Sequence, residues 1–276
     1  MRQGPLQPEE YQEQACLLCM DREEHIPLRR IMEKLDDHFH HKDYPAAEKH
    51  LHYWLEEARA CGDLRGEFAL QNELMGYYRK LGRGEEAMES AEAALALVEK
   101  LESEGSVGAA TACVNSATVY QAFGRSERAL ELFQKAQAIY EKSLTRDDSR
   151  LGSLYNNMAL AMTSLRRFDE AKELYAMALD VMGRVKHGEL EQAMTHLNLA
   201  DAAVAEYGPE AAEGMVTGRL EQAYELLTGS TAPRNGYYAF VCEKAAAAYG
   251  YYGWFLQEAE LNRRAREIVE RTGTES

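Results

Sequence analysis

Three copies of one pattern, at a constant spacing of 42 residues, constrain the fold of this chain more than any other feature. They are L-G-R-G-E-E-A ending at Ala87, F-G-R-S-E-R-A ending at Ala129 and L-R-R-F-D-E-A ending at Ala171. Alanines also stand seven residues after or twelve residues before these positions, at Ala94, Ala136, Ala178, Ala117 and Ala159. A period of this size with helical spacing inside it predicts stacked helix pairs, which usually bind other molecules rather than transform them.

The three copies predict six helices and the turns between them. The helices are expected over 66–81 and 85–103, 107–123 and 126–143, and 149–166 and 168–185. Small side chains let the two helices of a pair approach closely, so we expect the repeated alanines at the helix crossings. Gly82 and Gly124 are expected to end their helices in the left-handed conformation, for which Arg166 lacks the freedom of glycine.

Weaker copies extend the array in both directions. Upstream, Ala47 predicts helices over 28–41 and 45–61, and downstream, Ala200 predicts a helix over 189–206. We interpret E-Y-G-P-E-A-A-E-G-M-V-T-G as an insertion before a helix over 217–228. A last pair is expected over 237–253 and 255–271, with Ala259 in the alanine register.

The predicted fold class is all-α, a solenoid of antiparallel helix pairs. Residues 1–27 carry no repeat and are expected to cap the stack, and residues 272–276 are expected to form a frayed tail. Between them we expect about six helix pairs in one solenoid over 28–271, with bounds 28–62, 66–104, 107–145, 149–187, 189–229 and 237–271.

Charge and cysteine content narrow the classes of partner and compartment. The net charge is −15, with acidic residues spread along helix faces, and no stripe of Lys and Arg that nucleic acid would require is visible. Five cysteines, without the spacing of a disulfide framework, favour a reduced, intracellular protein. No leader and no run of eighteen apolar residues is seen, so export and membrane spanning are not expected.

The small-residue registers resemble tetratricopeptide repeats, whose usual length is about 34 residues. The 42-residue copies are similar to the longer repeats of kinesin light chain. The third copy carries this signature best, in L-Y-N-N-M-A from Leu154 to Ala159, R-F-D-E-A and Y-A-M-A-L from Tyr175 to Leu179. The resemblance covers residues 28–271, is strongest over 66–206, and implies a right-handed superhelix whose concave face is lined by the first helix of each pair.

Asparagine recurs on those first helices. Asn115 and Asn157 are 42 residues apart and Asn198 follows after 41, while Asn72 and Asn156 lie one position earlier in their copies. In the family that the chain resembles, asparagines here can form a ladder that holds an extended peptide by its main chain. A side-chain amide offers an acceptor and two donors, which match a peptide backbone. The alternative is that these asparagines bridge adjacent helices or cap a local turn.

Other polar and aromatic residues are expected on the same wall. They are Arg79, Gln121 and Thr163, which lie six or seven residues beyond the asparagines, and Lys244 and Tyr251 in the last pair. Arg79 or Lys244 could receive a carboxylate of the ligand. The aromatic stretch from Tyr238 to Phe255 is a candidate partner surface, although we favour a hydrophobic terminal pair that seals the stack.

A zinc site is the main chemical alternative. Cys16 and Cys19 have C-x-x-C spacing, and six of the eight histidines fall between His25 and His52. A second C-x-x-C and a clean H-x-x-x-H pair are missing, so we interpret these residues as helix packing and surface decoration rather than a metal site. No phosphate-binding glycine loop and no nucleophile motif is seen, and neither a catalytic residue nor a cofactor is predicted.

The sequence therefore predicts a cytoplasmic, non-enzymatic solenoid that binds a protein or an extended peptide segment and serves as an adaptor or assembly factor. Nucleic acid and membrane are not expected partners. The alternative function is a peptide-sensing regulatory receptor that changes shape when its ligand binds. An enzymatic or zinc-binding role comes third.

Overall fold

The computed structural model describes residues 25–101 and 103–274, which contain twelve helices and no strand. The helices are α1 Leu28–His40, α2 Tyr44–Cys61, α3 Leu64–Lys80, α4 Gly84–Lys100, α5 Val107–Ala122, α6 Ser126–Ser143, α7 Ser149–Ser164, α8 Phe168–Met182, α9 Glu189–Tyr207, α10 Pro209–Gly229, α11 Gly236–Tyr251 and α12 Phe255–Thr274. Eleven of them begin and end within three residues of the predicted positions. The fold is an all-α solenoid of helix pairs.

The chain divides into two compact units, here called the N-terminal unit, Met1–Ala136, and the C-terminal unit, Gln137–Ser276. Within each unit, the odd-numbered helices are the first helices of the pairs and pack on their even-numbered partners. The division falls inside α6. The face of a unit that its first helices form is called its first-helix surface below.

The repeated alanines form the crossings between paired helices. Ala87 and Ala129 have no exposed surface and Ala171 is 1% exposed, and the alanines seven residues later are fully buried. Gly82 and Gly124 have φ near +73° and +74°, as their position at the ends of helices required. Arg166 adopts the same left-handed conformation, with φ of +60°, although a side chain makes it costly.

The predicted insertion before residue 217 is wrong. Helix α10 runs without interruption from Pro209, because Gly208, with φ of +83°, turns the chain and proline is well suited to a first helical position. Its buried side chains follow one another at intervals of three or four residues, at Ala212, Val216, Leu220, Ala223 and Leu227. Ala212 follows Ala171 by 41 residues, as Ala200 follows Ala159, so the register itself continues through this segment.

The placement of Ala259 in the alanine register is also wrong. Ala259 is exposed, whereas Ala265 is 1% exposed. In the earlier copies the left-handed residue precedes the crossing alanine by five positions; Gly253, with φ of +78°, therefore makes Glu258 the equivalent position and Ala265 the one seven residues later. The last pair keeps the geometry of the repeat with a glutamate at the first alanine position.

The aromatic stretch of the last pair is divided between core and surface. Tyr238 and Tyr249 are fully buried, and their hydroxyl groups donate hydrogen bonds to the carbonyl oxygens of Leu227 and Leu220 at 3.0 and 2.7 Å. Other rings of the same stretch, Phe240, Tyr251 and Phe255, are exposed, and so is Tyr237 just before it. The stretch therefore fills the core of the C-terminal unit and also leaves aromatic side chains in solvent.

Candidate functional site

The ten predicted site residues all lie on first helices. The N-terminal unit holds Asn72 and Arg79 on α3 and Asn115 and Gln121 on α5, and the C-terminal unit holds Asn156, Asn157 and Thr163 on α7, Asn198 on α9 and Lys244 and Tyr251 on α11. Since first helices of consecutive pairs are neighbours within a unit, these side chains lie along its first-helix surface.

In the N-terminal unit, two of the asparagines bind each other. The Nδ2 of Asn115 donates to the Oδ1 of Asn72 at 3.2 Å, and the Nδ2 of Asn72 donates to the carbonyl oxygen of Phe68 at 2.9 Å. These bonds join α5 to α3. They leave the Oδ1 of the exposed Asn115 as an acceptor on the surface.

In the C-terminal unit, Asn156 is the centre of a similar bridge. Its Oδ1 accepts from the Nδ2 of Asn198 at 3.0 Å and from the Oγ1 of Thr195 at 3.2 Å, which joins α9 to α7. Asn157 is half-buried, and its side chain has no hydrogen-bond partner within residues 25–101 and 103–274. Asn72 and Asn156, one position before the repeat position, thus accept hydrogen bonds from the asparagine of the next first helix. At the repeat position itself, within the described chain, Asn115 and Asn198 each keep a free Oδ1 and Asn157 keeps its whole amide free.

The other predicted residues differ in exposure. Arg79 is exposed and forms no ion pair with any described residue, and Gln121 is half-buried. The Oγ1 of Thr163 donates to the carbonyl oxygen of Ala159 at 2.9 Å. The Nζ of Lys244 lies 5.7 Å from the ring centre of Phe240, and Tyr251 is 78% exposed.

A carboxylate occupies the asparagine position of α3. Glu73 precedes Asn115 by 42 residues, and burial, followed by the nearby Asp36, raises the pKa of its side chain. Neither a cation nor a hydrogen-bond donor contacts the Glu73 side chain within the described part of the chain. The 42-residue spacing marks this position, but Glu73 was not predicted as a site residue because it is not an asparagine.

Two contacts that join α9 to α11 were missed by the sequence reasoning. The hydroxyl group of Tyr237 donates to Glu191 at 2.7 Å, and that of Tyr252 donates to Asp201 at 2.6 Å. On α9 the stripe is Glu191, Asn198 and Asp201, and on α11 it is Tyr237, Phe240, Lys244 and Tyr251; both follow helical spacing along one face. Asn198, Lys244 and Tyr251 were among the predicted site residues. Glu191, Asp201 and Tyr237 do not recur in the other copies, so the 42-residue period gave no signal for them.

A cavity of about 480 Å³ opens on this part of the first-helix surface. Its lining is Asp201, Val204 and Ala205 of α9 with Ala248, Tyr251 and the adjoining Tyr252 of α11. Burial raises the pKa of the Asp201 carboxyl, and the hydrogen bond from Tyr252 offsets part of this effect. The cavity combines one carboxylate with aromatic and aliphatic walls.

A second cavity, of about 450 Å³, lies elsewhere in the C-terminal unit, among α8, α9 and α10. Its rim carries Lys172, whose Nζ donates to Glu206 at 2.8 Å and to the Tyr207 hydroxyl group at 3.1 Å. Phe168 and Met215 supply apolar walls. Lys172 is already neutralised within the chain, whereas Arg219, also in the lining, contacts His196 and Gln222 and forms no ion pair within the described residues.

Two histidines of the described region join neighbouring helices. The Nε2 of His50 lies 3.0 Å from the carbonyl oxygen of Ile31, and that of His52 lies 2.7 Å from the hydroxyl oxygen of Tyr78. Among residues 25–101 and 103–274, no group of three or more His, Cys, Asp or Glu side chains is arranged to hold a metal ion. Cys16 and Cys19 lie outside the described residues. No helix in the described ranges is both long and apolar enough to span a bilayer.

Comparison with known proteins identifies the repeats. Models of the tetratricopeptide repeat match residues 67–142 and 151–185. A comparison with curated proteins gives no match. These repeats typically build protein-binding scaffolds.

Two solved structures show the same fold. One is a Podosopora anserina protein described as kinesin light chain with nearly identical tetratricopeptide-like repeats, at 22% identity and a TM-score of 0.50, covering 74% of this chain and 95% of its own. The other is a Rap protein complexed with competence and sporulation factor, at 15% identity and a TM-score of 0.55, covering 88% of this chain and 78% of its own. Residues 67–142 and 151–185 are therefore tetratricopeptide repeats, and their copies have the long spacing of 42 residues.

Proposed function

We propose that this chain is a non-enzymatic scaffold whose first-helix surface in the C-terminal unit binds an extended peptide segment of a protein partner. The observation that carries the proposal is the side chain of Asn157. It stands at the repeat position of Asn198, on a surface of paired first helices, with both its donor and its acceptor groups unused within the described chain. Asn198 donates to Asn156 and keeps its own Oδ1 free.

An extended peptide suits these groups because each of its residues presents one N–H and one C=O. The side-chain amide can donate to the C=O and accept from the N–H of the same strand. Each bond contributes roughly 0.5–1.5 kcal/mol net, so several bonds and additional side-chain contacts are needed for micromolar binding. The exposed rings of Tyr237, Phe240 and Tyr251 offer such contacts on the neighbouring helix.

The N-terminal unit offers a smaller surface of the same kind. Asn115 keeps its Oδ1 free beside its bond to Asn72, and Arg79 is an exposed cation on the same helix as Asn72. With Gln121, these residues form a second peptide-contacting surface in the proposal, while Asn156 and Thr163 support α7 in the C-terminal unit through bonds within the chain.

A peptide-sensing receptor is the second candidate. It is favoured by the shared fold with the Rap protein, which was solved with competence and sporulation factor bound. Small-angle scattering separates the two candidates: a selected peptide that changes the radius of gyration supports a receptor, whereas binding without such a change supports a scaffold.

The proposal is tested with a library of degenerate peptides of about ten residues with blocked ends, each spanning roughly 33 Å when extended. Immobilised wild-type protein should retain peptides, and the double variant N157A/N198A should retain far fewer. The matched control is Asn262→Ala on α12, a second helix, which removes an amide of equal size away from the surface. Equal retention by wild type and the double variant, or none by wild type, contradicts the proposal.

A further inference from the structure

The cavity between α9 and α11 has a carboxylate that its surroundings do not neutralise. The Oδ1 of Asp201 accepts a hydrogen bond from the Tyr252 hydroxyl group at 2.6 Å. No Lys, Arg or His of the described chain forms an ion pair with Asp201. The residue as a whole is exposed, yet burial is the largest influence on the pKa of its carboxyl group, which it raises.

Two partly buried carboxylates of the C-terminal unit have cations. Glu206, whose side chain is 17% exposed, binds the Nζ of Lys172 at 2.8 Å, and Glu260, at 27%, binds Arg264 at 2.7 Å. A carboxylate that loses hydration gains stability from a cation nearby. Asp201 therefore differs from Glu206 and Glu260 because no cation of the described chain pairs with it. Its Oδ2 is free to bind a cation of a ligand.

The walls beside Asp201 also suit a cation. The rings of Tyr251 and Tyr252 lie with centres 5.0 Å apart and planes at 82°, and Tyr251 is 78% exposed. An aromatic face attracts Lys and Arg head groups. Val204, Ala205 and Ala248 line the rest of the cavity, and such aliphatic walls pack against the methylene stem of a long basic side chain.

We propose that this cavity is a specificity pocket for a Lys or Arg side chain of the bound peptide, with the carboxylate of Asp201 receiving the cationic head and the Tyr251 ring covering the stem. The inference rests on the proposed function, because it assigns a side-chain preference to the same surface. The cavity of about 480 Å³ accommodates such a side chain. Lys244 forms no ion pair with Asp201, and its Nζ lies instead 5.7 Å from the ring centre of Phe240.

The peptide library tests this assignment by sequencing the retained peptides. With wild-type protein, Lys and Arg together should be enriched roughly 5- to 30-fold at one peptide position, as expected for an ion pair joined to a cation–aromatic contact. Retained peptides without a basic preference, or with an apolar or acidic preference at that position, overturn the inference and leave the proposed function standing. An absence of retained peptides overturns both.

Two variants place the preference at the cavity. Asp201→Asn keeps an acceptor for Tyr252 but removes the charge, and should reduce the basic enrichment to near the level of the random library. Tyr251→Ala, at an exposed position, should reduce it by roughly 3- to 5-fold. The control Asp169→Asn changes a carboxylate that is 97% exposed on α8 and should keep the wild-type preference. Thermal melting checks that each variant is folded; a preference that persists in both folded cavity variants overturns the assignment.

Discussion

The first-helix surfaces of the two units share their construction and differ in chemistry. In the N-terminal unit the stripe on α3 and α5 carries amide and charged groups, and Asn72 and Asn115 bind each other. In the C-terminal unit the stripe on α9 and α11 adds exposed aromatic rings and the carboxylate of Asp201. Buried alanines build helix crossings in both units, although the last pair has Glu258 at the first alanine position. The difference teaches that the repeat specifies the helix pairs, while the exposed positions beside it vary from unit to unit and carry the proposed binding chemistry.

The largest expected effect concerns a buried polar anchor of the N-terminal unit. Asp63, 4% exposed, accepts from the backbone N–H of Ile26 at 2.9 Å and of Gly66 at 2.9 Å, and lies 3.1 Å from His25. Asp63→Ala should lower the free energy of unfolding by about 2–4 kcal/mol, since it removes an N-cap and leaves N–H groups unpaired. Denaturant titration measures this; Asp43→Ala, an exposed N-cap of α2, should cost less.

The Asp63 effect should depend on pH. Burial raises the pKa of this carboxyl, but the backbone hydrogen bonds of Gly66 and Ile26 and the contact with His25 outweigh it, so that the net pKa is below 3.8. A lowered pKa contributes stability above the unfolded-state value and loses it as pH falls through the folded-state value. The difference between wild type and Asp63→Ala should therefore be full at pH 7 and shrink below about pH 4. A constant difference down to pH 2 would contradict this explanation.

The next effect tests whether the alanine positions carry the scaffold of the C-terminal unit. Ala171→Leu should lower the free energy of unfolding by about 1–3 kcal/mol, because the larger side chain overpacks a helix crossing. Ala259→Leu makes the same change at an exposed position and should have little effect. Equal losses of stability in the two variants would show that Ala259 lies at a helix crossing after all, and would contradict the assignment of Ala171 to the scaffold and Ala259 to the surface.

A smaller effect is expected at the left-handed turns. Arg166→Gly should raise stability by up to about 1 kcal/mol, because it relieves a costly backbone conformation although it gives up the contact of Arg166 with Phe168. Gly124→Ala is the reverse change in the preceding copy and should cost about 1 kcal/mol, because a side chain is strained at the φ of +74°. No atom lies within 4 Å of the added Cβ, so no steric clash adds to this cost. Calorimetry that shows the same sign for both changes would contradict the account.

The smallest effect distinguishes a binding carboxylate from a structural one. The raised pKa of Asp201 means that its charge opposes folding at neutral pH, so Asp201→Asn should leave the melting temperature equal or higher. Glu206→Gln removes the partner of Lys172, whose contact lowers the pKa of Glu206, and should lower the melting temperature slightly. A clear loss of stability in Asp201→Asn would make Asp201 a structural residue.

The sequence predicted the parts that repeat. The 42-residue spacing placed the helix pairs, the buried alanines and the left-handed turns because each repeats a backbone requirement. The prediction failed at α10, where Gly208 and Pro209 were interpreted as part of an insertion although a helix begins there. It also failed at Ala259, because the left-handed Gly253 places Glu258 rather than Ala259 at the first alanine position.

The partners of the polar side chains could not be predicted in the same way. Asn72 with Asn115 and Asn156 with Asn198 are each offset by one position from the repeat, and that offset depends on how neighbouring helices are rotated. Asp201 and Tyr252 meet from positions 51 residues apart, outside any repeat. Side-chain geometry across two helices, rather than periodicity, determines such contacts.

The central claim is that free amide groups on the first-helix surface of the C-terminal unit hold an extended peptide. The most direct test is an equilibrium titration of one library-selected peptide against wild type, N157A/N198A and Asn262→Ala, with melting recorded for each. The account predicts binding weakened roughly 10- to 100-fold in the double variant and unchanged in the control, as the loss of several backbone hydrogen bonds requires. Wild-type affinity in a folded double variant would contradict it.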